Sequence, residues 1–161
     1  MAAGPDVVAV PARSSFDDVY AVERRSIVGL AALLVRSQEV AEELAQDAFL
    51  CLYERFDTVE NPPGFLRTAV VRLCISWQRR STTERRLIQR VGVDRPSGIP
   101  EVDETWDALG RLDPDKRVVL VLRFYEQLRH DEIAELLGCP TATVRSRTRR
   151  ALTDLRKELA R

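Results

Sequence analysis

Histidine and cysteine, from which most zinc sites are built, are scarce here: the 161 residues include one histidine and three cysteines. The histidine is His130, and Cys51, Cys74 and Cys139 lie far apart without a Cys-x-x-Cys pair, so a zinc site has almost nothing to be built from. An odd number of cysteines in apolar helical surroundings indicates buried thiols rather than disulfides. We therefore expect no metal and no cofactor.

Turn-forming residues and long apolar runs are also few. Glycine occurs only seven times, Asn-Gly dipeptides are absent, and Ala, Leu, Glu and Arg dominate, a composition that favours an all-α protein. The longest apolar run, Ile27 to Val35, is well short of the roughly 20 residues that a membrane span needs. No basic-then-apolar signal segment opens the chain, so we expect a cytoplasmic protein.

Neither sign of charge is in excess, yet the charges are segregated along the chain. Between residues 39 and 60 the acids are opposed only by Arg55, whereas between residues 79 and 90 five arginines face Glu84 alone. A neutral chain can therefore still present a basic patch to a polyanion.

Helical periodicity divides the chain into two predicted domains. Residues 1–13 show no periodicity and are expected to be a disordered tail. Residues 14–80 predict a first domain of three helices. A capping box at Ser15 and Asp18 begins the first helix, the second ends near Phe56, and the third starts near Phe65. The third helix is expected to begin only there because the preceding "TVENPPGF" contains two prolines and a glycine.

An unpatterned segment, residues 81–104, is interpreted as a flexible linker, since so long a stretch without periodicity is uncommon inside a compact domain. Residues 105–161 then predict a second helical domain. In it, Asp113-Pro114 marks the start of a helix that runs to about Glu126. A further pair of helices, broken at "GCP", has the spacing of a helix-turn-helix.

The last helix of that motif places its arginines on one side. Arg145 and Arg149 occupy the centre of the polar face, Ser146 and Arg150 flank them, and Arg147 falls on the boundary between polar and apolar faces. An arginine side chain can donate two hydrogen bonds to the edge of a guanine or can neutralise a phosphate. This cationic face therefore predicts that the helix binds duplex DNA. Arg147 suits either a phosphate or an intramolecular carboxylate.

Two blocks of sequence resemble one protein family. "LDPDKRVVLVLRFYEQLRHDEIAELLGCPTATVRSRTRRALTDLRKEL" resembles region four, and "EVAEELAQDAFLCLYERF" region two, of the extracytoplasmic-function (ECF) group of sigma-70-type sigma factors. The resemblance implies a sigma factor, not an enzyme, that binds core RNA polymerase and directs promoter-specific transcription initiation at the −35 and −10 elements. It also implies an anti-sigma factor as a further partner.

The resemblance assigns roles to three groups of residues. The core-polymerase-binding residues, which would dock on the clamp helices of the largest subunit, are Glu42, Glu43, Gln46 and Asp47. The residues implied in binding and melting the downstream (−10) element are Asn61, Gly64, Arg67, Arg72, Trp77, Arg79 and Arg80. Those implied at the upstream (−35) element are Thr143, Arg145, Ser146, Arg149 and Arg150. The second domain is also implied to contact the polymerase flap.

Some positions depart from the family pattern or stay open. Arg72 stands where relatives commonly have asparagine, Arg129 replaces a usual serine cap, and Thr148 replaces a usual apolar residue. Asp131 and Glu132 are then left to satisfy the positive end of the helix after Arg129. Trp77 either stacks on DNA or fills the core.

Two other kinds of protein compete with this interpretation. A stand-alone helix-turn-helix regulator that binds an operator as a dimer accounts for the second domain, but leaves the acidic and basic helices of the first unexplained. A di-metal carboxylate enzyme using Glu39, Glu43 and Asp47 lacks the histidines that such sites carry three residues after a glutamate.

Overall fold

A computed structural model describes residues 13–80 and 103–161 of the chain. Most of the predicted tail and linker lie outside these residues, although residues 103 and 104 belong to a helix. In the described ranges all regular structure is helical, which confirms the predicted fold class. The α-helices are α1 Phe16–Val35, α2 Gln38–Arg55, α3 Pro62–Arg80, α4 Asp103–Arg111, α5 Pro114–Leu120, α6 His130–Leu137 and α7 Thr141–Leu159.

The predicted capping box opens α1. The Ser15 hydroxyl accepts a hydrogen bond from the Asp18 amide at 3.2 Å, and the Asp18 carboxylate accepts one from the Ser15 amide at 3.1 Å. The bonds with Ser15 lower the pKa of the Asp18 carboxyl. The helix ends at Arg36, whose φ of 62° is left-handed, and its N–H donates to the Ala32 carbonyl. Both ends of α1 are therefore capped locally.

Replacing Ser15 with alanine is expected to lower the free energy of unfolding by about 1 kcal/mol, because the first turn loses its side-chain acceptor. Urea denaturation followed by circular dichroism measures the change. The Ser14→Ala variant is the matched control, since Ser14 is exposed and does not form the cap. Equal losses in the two variants would contradict the assignment.

The third helix begins earlier than the sequence predicts. It starts at Pro62 rather than Phe65, and Asn61 caps it: the Asn61 side-chain oxygen accepts from the Gly64 amide at 3.2 Å, and the Asn61 carbonyl accepts from the Phe65 amide at 3.0 Å. Proline needs no amide partner in a first helical turn, so two prolines that end α2 can also begin α3. Residues 62–64, which the sequence places before the third helix, therefore form its first turn.

Helices α1, α2 and α3 form the first unit, residues 13–80, around a core of aliphatic side chains. Its fully buried members include Leu30, Leu34, Leu52, Leu66 and Val70. Cys74 is buried among them, and burial raises the pKa of its thiol to about 12. All three cysteines are free, as expected, but Cys51 is exposed and Cys139 half-buried, so only Cys74 is the fully buried thiol that composition predicts.

Helices α4 to α7 form the second unit, residues 103–161. As predicted, α5 has Pro114 at its first position and Asp113 as its N-cap residue, although the Asp113 side chain makes no capping bond. The predicted helix to Glu126 is interrupted: residues Val121–Tyr125 form a π-helical turn, and the Glu126 amide donates to the Val121 carbonyl at 3.1 Å. This wider turn leaves Phe124 58% exposed.

The two units pack against each other, and their buried side chains form one continuous core. The end of α1 meets the second unit at α4, α5 and the π-helical turn, where Arg117 donates to the Leu34 carbonyl. In α3, Arg67 pairs with Glu126 of the second unit. The face of α3 that bears Arg79 therefore lies beside the first turns of α5 and α7.

Candidate nucleic-acid interface

Helices α6 and α7 form the predicted helix-turn-helix. Gly138 ends α6 with a φ of 65°, a left-handed conformation that other residues adopt only with strain. The Gly138 amide donates to the Glu135 carbonyl at 3.3 Å and the Cys139 amide to the Ala134 carbonyl at 3.1 Å, closing the end of the helix. Ala134 and Val144 are buried where the two helices cross. The turn thus fixes how α7 projects from the unit.

Carboxylates satisfy the start of α6 in place of a serine cap. The Glu132 carboxylate accepts from the Arg129 amide at 2.8 Å, and Asp131 pairs with the Arg129 guanidinium at 3.1 Å. The hydrogen bond from Arg129 lowers the pKa of the Asp131 carboxyl. Glu132 therefore contacts the start of the helix as expected, whereas Asp131 pairs with the Arg129 side chain.

The two faces of α7 divide as its sequence indicates. Val144, Thr148 and Ala151 are buried, whereas Arg145 and Arg149 are exposed and form no ion pair within residues 13–80 and 103–161. The Arg150 guanidinium donates to the Ser146 hydroxyl at 3.2 Å, and the Ser146 hydroxyl in turn donates to the Thr143 carbonyl at 3.4 Å. Two cationic side chains one turn apart are thus available to an external anion.

The polar residue on the buried face of α7 does not leave an unpaired group. The Thr148 hydroxyl donates to the Val144 carbonyl at 2.8 Å, and the side chain is only 5% exposed. The hydroxyl is therefore satisfied inside its own helix.

The candidate downstream residues are not all equally accessible. Arg72, Arg79 and Arg80 are exposed on α3, whereas Arg67 is engaged with Glu126 at 2.6 Å. Trp77 is half-buried and packs against the core, which leaves both of its predicted roles open. The side chain of Asn61 is used in capping α3 beside Gly64.

The acidic candidates share the exposed side of α2. Glu42, Glu43, Gln46 and Asp47 are all exposed, and Glu42 accepts a hydrogen bond from the Gln38 side-chain amide at 2.8 Å. Glu42 and Gln46 also line a small cavity beside Tyr20 and Arg24 of α1. This surface suits a basic helical partner.

Sequence reasoning missed the residues that join the two units. Arg117 is 1% exposed and donates four hydrogen bonds to backbone carbonyls, and Arg36 lies on the ring of Trp106 at 4.0 Å from its centroid. The position of each arginine beside an apolar run could have indicated burial: Arg117 immediately precedes "VVLVL", and Arg36 follows the longest apolar run. Charged residues beside buried stripes are typically buried only with partners.

The second unit contains a helix-turn-helix whose second helix is exposed and cationic, and the first is a helical unit with an acidic surface. Together they are typical of a DNA-binding transcription protein. Two family models match the chain in order: "Sigma-70 region 2" over residues 19–84 and "Sigma-70, region 4" over residues 103–155. The chain belongs to the sigma-70 family of RNA polymerase sigma factors.

Named relatives agree with this membership. The chain is 30% identical over 156 residues to the RNA polymerase sigma-E factor of Streptomyces coelicolor, covering 89% of this chain and 85% of that protein. It is 28% identical to the RNA polymerase sigma factor SigV of Bacillus subtilis, covering 82% and 83%. It is also 28% identical to the ECF RNA polymerase sigma factor SigE of Mycolicibacterium smegmatis, covering 97% and 65%. The resemblance to the ECF group is thereby confirmed.

A solved structure shares the fold. The sigma factor RpoE of Bartonella quintana, in its complex with the anti-sigma factor NepR, superposes with a TM-score of 0.69 over 90% of this chain and 96% of that one, at 23% identity. Among the described helices none is long and apolar enough to cross a membrane.

Proposed function

We propose that this chain is a sigma factor of the ECF group that binds core RNA polymerase and directs it to promoters by contacting their −35 and −10 elements. The observation that carries the proposal is the ordered match to regions two and four on two helical units. Transcription initiation factors of this family are not enzymes, and we infer that this chain has no catalytic activity of its own and works in the cytoplasm.

The upstream element is assigned to α7. Arg145 and Arg149 stand exposed at the centre of its polar face without intramolecular ion pairs in the described residues, which supports contact with base edges. Arg150 lies toward the flank beside Ser146 and Thr143, which supports contact with phosphates.

The downstream element is assigned to α3 and its start. Arg72, Arg79 and Arg80 supply exposed cations along one helix, as strand separation requires of a surface that follows the DNA backbone. Arg67, which pairs with Glu126 in this structure, is assigned to the same surface, and Asn61, Gly64 and Trp77 complete it.

Core polymerase and an anti-sigma factor are the proposed protein partners. The acidic surface of α2 supports docking on the basic clamp helices, and the second unit is proposed to contact the flap. A relative with the same fold was solved with an anti-sigma factor, which motivates the search for such a partner here.

In vitro transcription with core enzyme on a promoter library tests the whole proposal. We expect specific transcripts only when the chain is added. A stand-alone regulator would instead bind duplex sites as a dimer without core enzyme and would leave core transcription unchanged, so an absence of transcripts together with tight operator binding would favour that alternative.

The double variant Glu42→Lys, Glu43→Lys is expected to bind core polymerase at least about tenfold more weakly, because charge reversal places like charges against the clamp. Competition binding with labelled wild-type chain measures the affinity. The control is Asp57→Lys, Glu60→Lys, which makes the same charge change at exposed positions beyond α2. Unchanged affinity in the folded first variant would remove this surface from the interface.

A further inference from the structure

Arg147 of α7, whose position in the sequence suits either a phosphate or a carboxylate, lies half-buried beside α3. Its side chain forms no hydrogen bond and no ion pair with any group in residues 13–80 and 103–161. Asp115 and Glu135 line the same space, yet neither pairs with it. A guanidinium that is partly withdrawn from water is costly without a partner, so this position indicates a site for an external anion.

The space beside Arg147 consists of two adjoining cavities of about 590 and 580 Å³. Side chains of α3 and α5 line both cavities, together with Arg147. The first cavity extends along the first turns of α7, and the second extends to the end of α6. Protein cavities that bind small molecules are typically about 300–1,000 Å³, so each of these has a suitable size.

The first cavity has an excess of positive charge. Besides Arg147, it is lined by Arg79 and Arg150, which are exposed and form no ion pair in the described part of the chain. Lys116 also lines it but is already paired with carboxylates of α7 and of its own helix start. Among the acidic residues of this lining, Asp115 alone has no ion-pair partner in the described ranges. Three unpaired guanidinium groups and one unpaired carboxylate leave room for an anion with at least two charges.

The second cavity adds an apolar surface to this cationic one. Its lining includes four aliphatic side chains, those of Ile75, Val118, Leu136 and Leu137. A nucleoside triphosphate carries both matching parts, because its phosphates suit the forked donors of arginine and its base and sugar suit an apolar wall. A DNA duplex, whose major groove alone is about 12 Å wide, is too large to enter cavities of this volume.

We propose that the two cavities bind a nucleoside polyphosphate, with its phosphates on Arg79, Arg147 and Arg150 and its nucleoside against the aliphatic side chains of the second cavity. Neither Arg145 nor Arg149 lines this site, which therefore differs from the base-reading face of α7. The inference goes beyond the proposed promoter binding and does not depend on it.

Isothermal titration calorimetry on the full free chain tests the site, with ATP and GTP as probes. We expect at least one of them to bind with a Kd of about 100 µM or tighter at about 100 mM salt. Pyrophosphate should bind about tenfold more weakly, because it lacks the nucleoside, and sulfate at equal ionic strength should bind more weakly still. The comparison separates recognition of a nucleotide from general attraction of anions to arginines.

Two variants should change the affinity in opposite directions. Arg147→Gln should weaken ATP binding about tenfold or more, because it removes a charge-assisted pair of hydrogen bonds. Its control is Arg156→Gln, since Arg156 is exposed on the same helix and does not line the cavities. Asp115→Asn should strengthen binding about threefold, because it removes a carboxylate that repels the phosphates. Asp107→Asn, exposed in the same unit and outside the cavities, should change the affinity by less than about twofold.

Nuclear magnetic resonance locates the bound nucleotide. We expect ATP to shift the amide signals of residues 75–79 and 143–147 and to leave those of α2 unchanged. Shifts confined to other helices would overturn the proposal.

The proposal also fails if both nucleotides bind no more tightly than sulfate, or if Arg147→Gln behaves like Arg156→Gln. Equal affinities for ATP and pyrophosphate would overturn the assignment of a nucleoside to the second cavity. A short single-stranded oligonucleotide that displaces ATP and binds more tightly than ATP would assign the cavities to DNA instead. All these outcomes are independent of the proposed function, which fails if the chain with core enzyme starts no specific transcripts.

Discussion

Replacing Arg117 with methionine is expected to lower the free energy of unfolding by about 3 to 5 kcal/mol, the largest effect of any single change considered. Its guanidinium donates to the carbonyls of Leu34, Leu109, Gly110 and Leu112 at 2.9 to 3.2 Å. Each buried carbonyl left without a donor costs about 1–3 kcal/mol, although some recover a partner by local opening. Urea denaturation measures the loss.

Two further variants distinguish the loss of these four hydrogen bonds from the general effect of removing an arginine. Arg117→Lys should recover little of the stability, because a single ammonium group cannot reproduce the spread of guanidinium donors. Arg123→Met is the matched control: Arg123 is half-buried and donates to the Leu128 carbonyl at 3.2 Å. A loss from Arg117→Met no greater than that from Arg123→Met would show that these bonds contribute little.

Arg145→Ala or Arg149→Ala, or both, should weaken upstream-element recognition by about 1–3 kcal/mol and relax the sequence preference at one position. The reason is that a bidentate arginine discriminates one base pair from the others by that amount. The measurement is binding of the holoenzyme to promoters carrying single-base changes in the upstream element, repeated over a salt series.

Arg150→Ala serves as the comparison within the same helix. A phosphate contact carries no sequence information, so this variant should weaken all promoters about equally and reduce the salt dependence by about one counterion. If Arg145→Ala and Arg149→Ala both leave the ranking of promoters unchanged, then α7 does not read bases, and its cationic face binds phosphate or only solvent.

Local signals in the sequence predicted much of the fold. The capping box at Ser15, the start of α5 at Pro114 and the turn at Gly138 were all identifiable because each depends on residues adjacent in the chain. The apolar and cationic faces of α7 followed from helical geometry alone. The roles of the proposed DNA-binding and polymerase-binding residues stay predictions.

Features that depend on distant partners were not predictable in this way. The start of α3 at Pro62 was missed because proline ends one helix and begins another equally well. The π-helical turn at Val121–Tyr125 has no known residue signature, and the pairing of Arg67 with Glu126 links positions 59 apart. The spacing of apolar residues indicates which face of a helix is buried, but it does not identify the part of the chain against which that face packs.

The shared Leu34 carbonyl makes the folding of the two units interdependent. Gln78 of the first unit and Arg117 of the second both donate to this one acceptor, so melting either unit removes a buried hydrogen bond from the other. We therefore expect that the stabilities of the two units are not additive and that the chain unfolds in one cooperative transition. Any partner that separates the two units would remove that coupling, and each unit would then depend on the surface it binds for its stability.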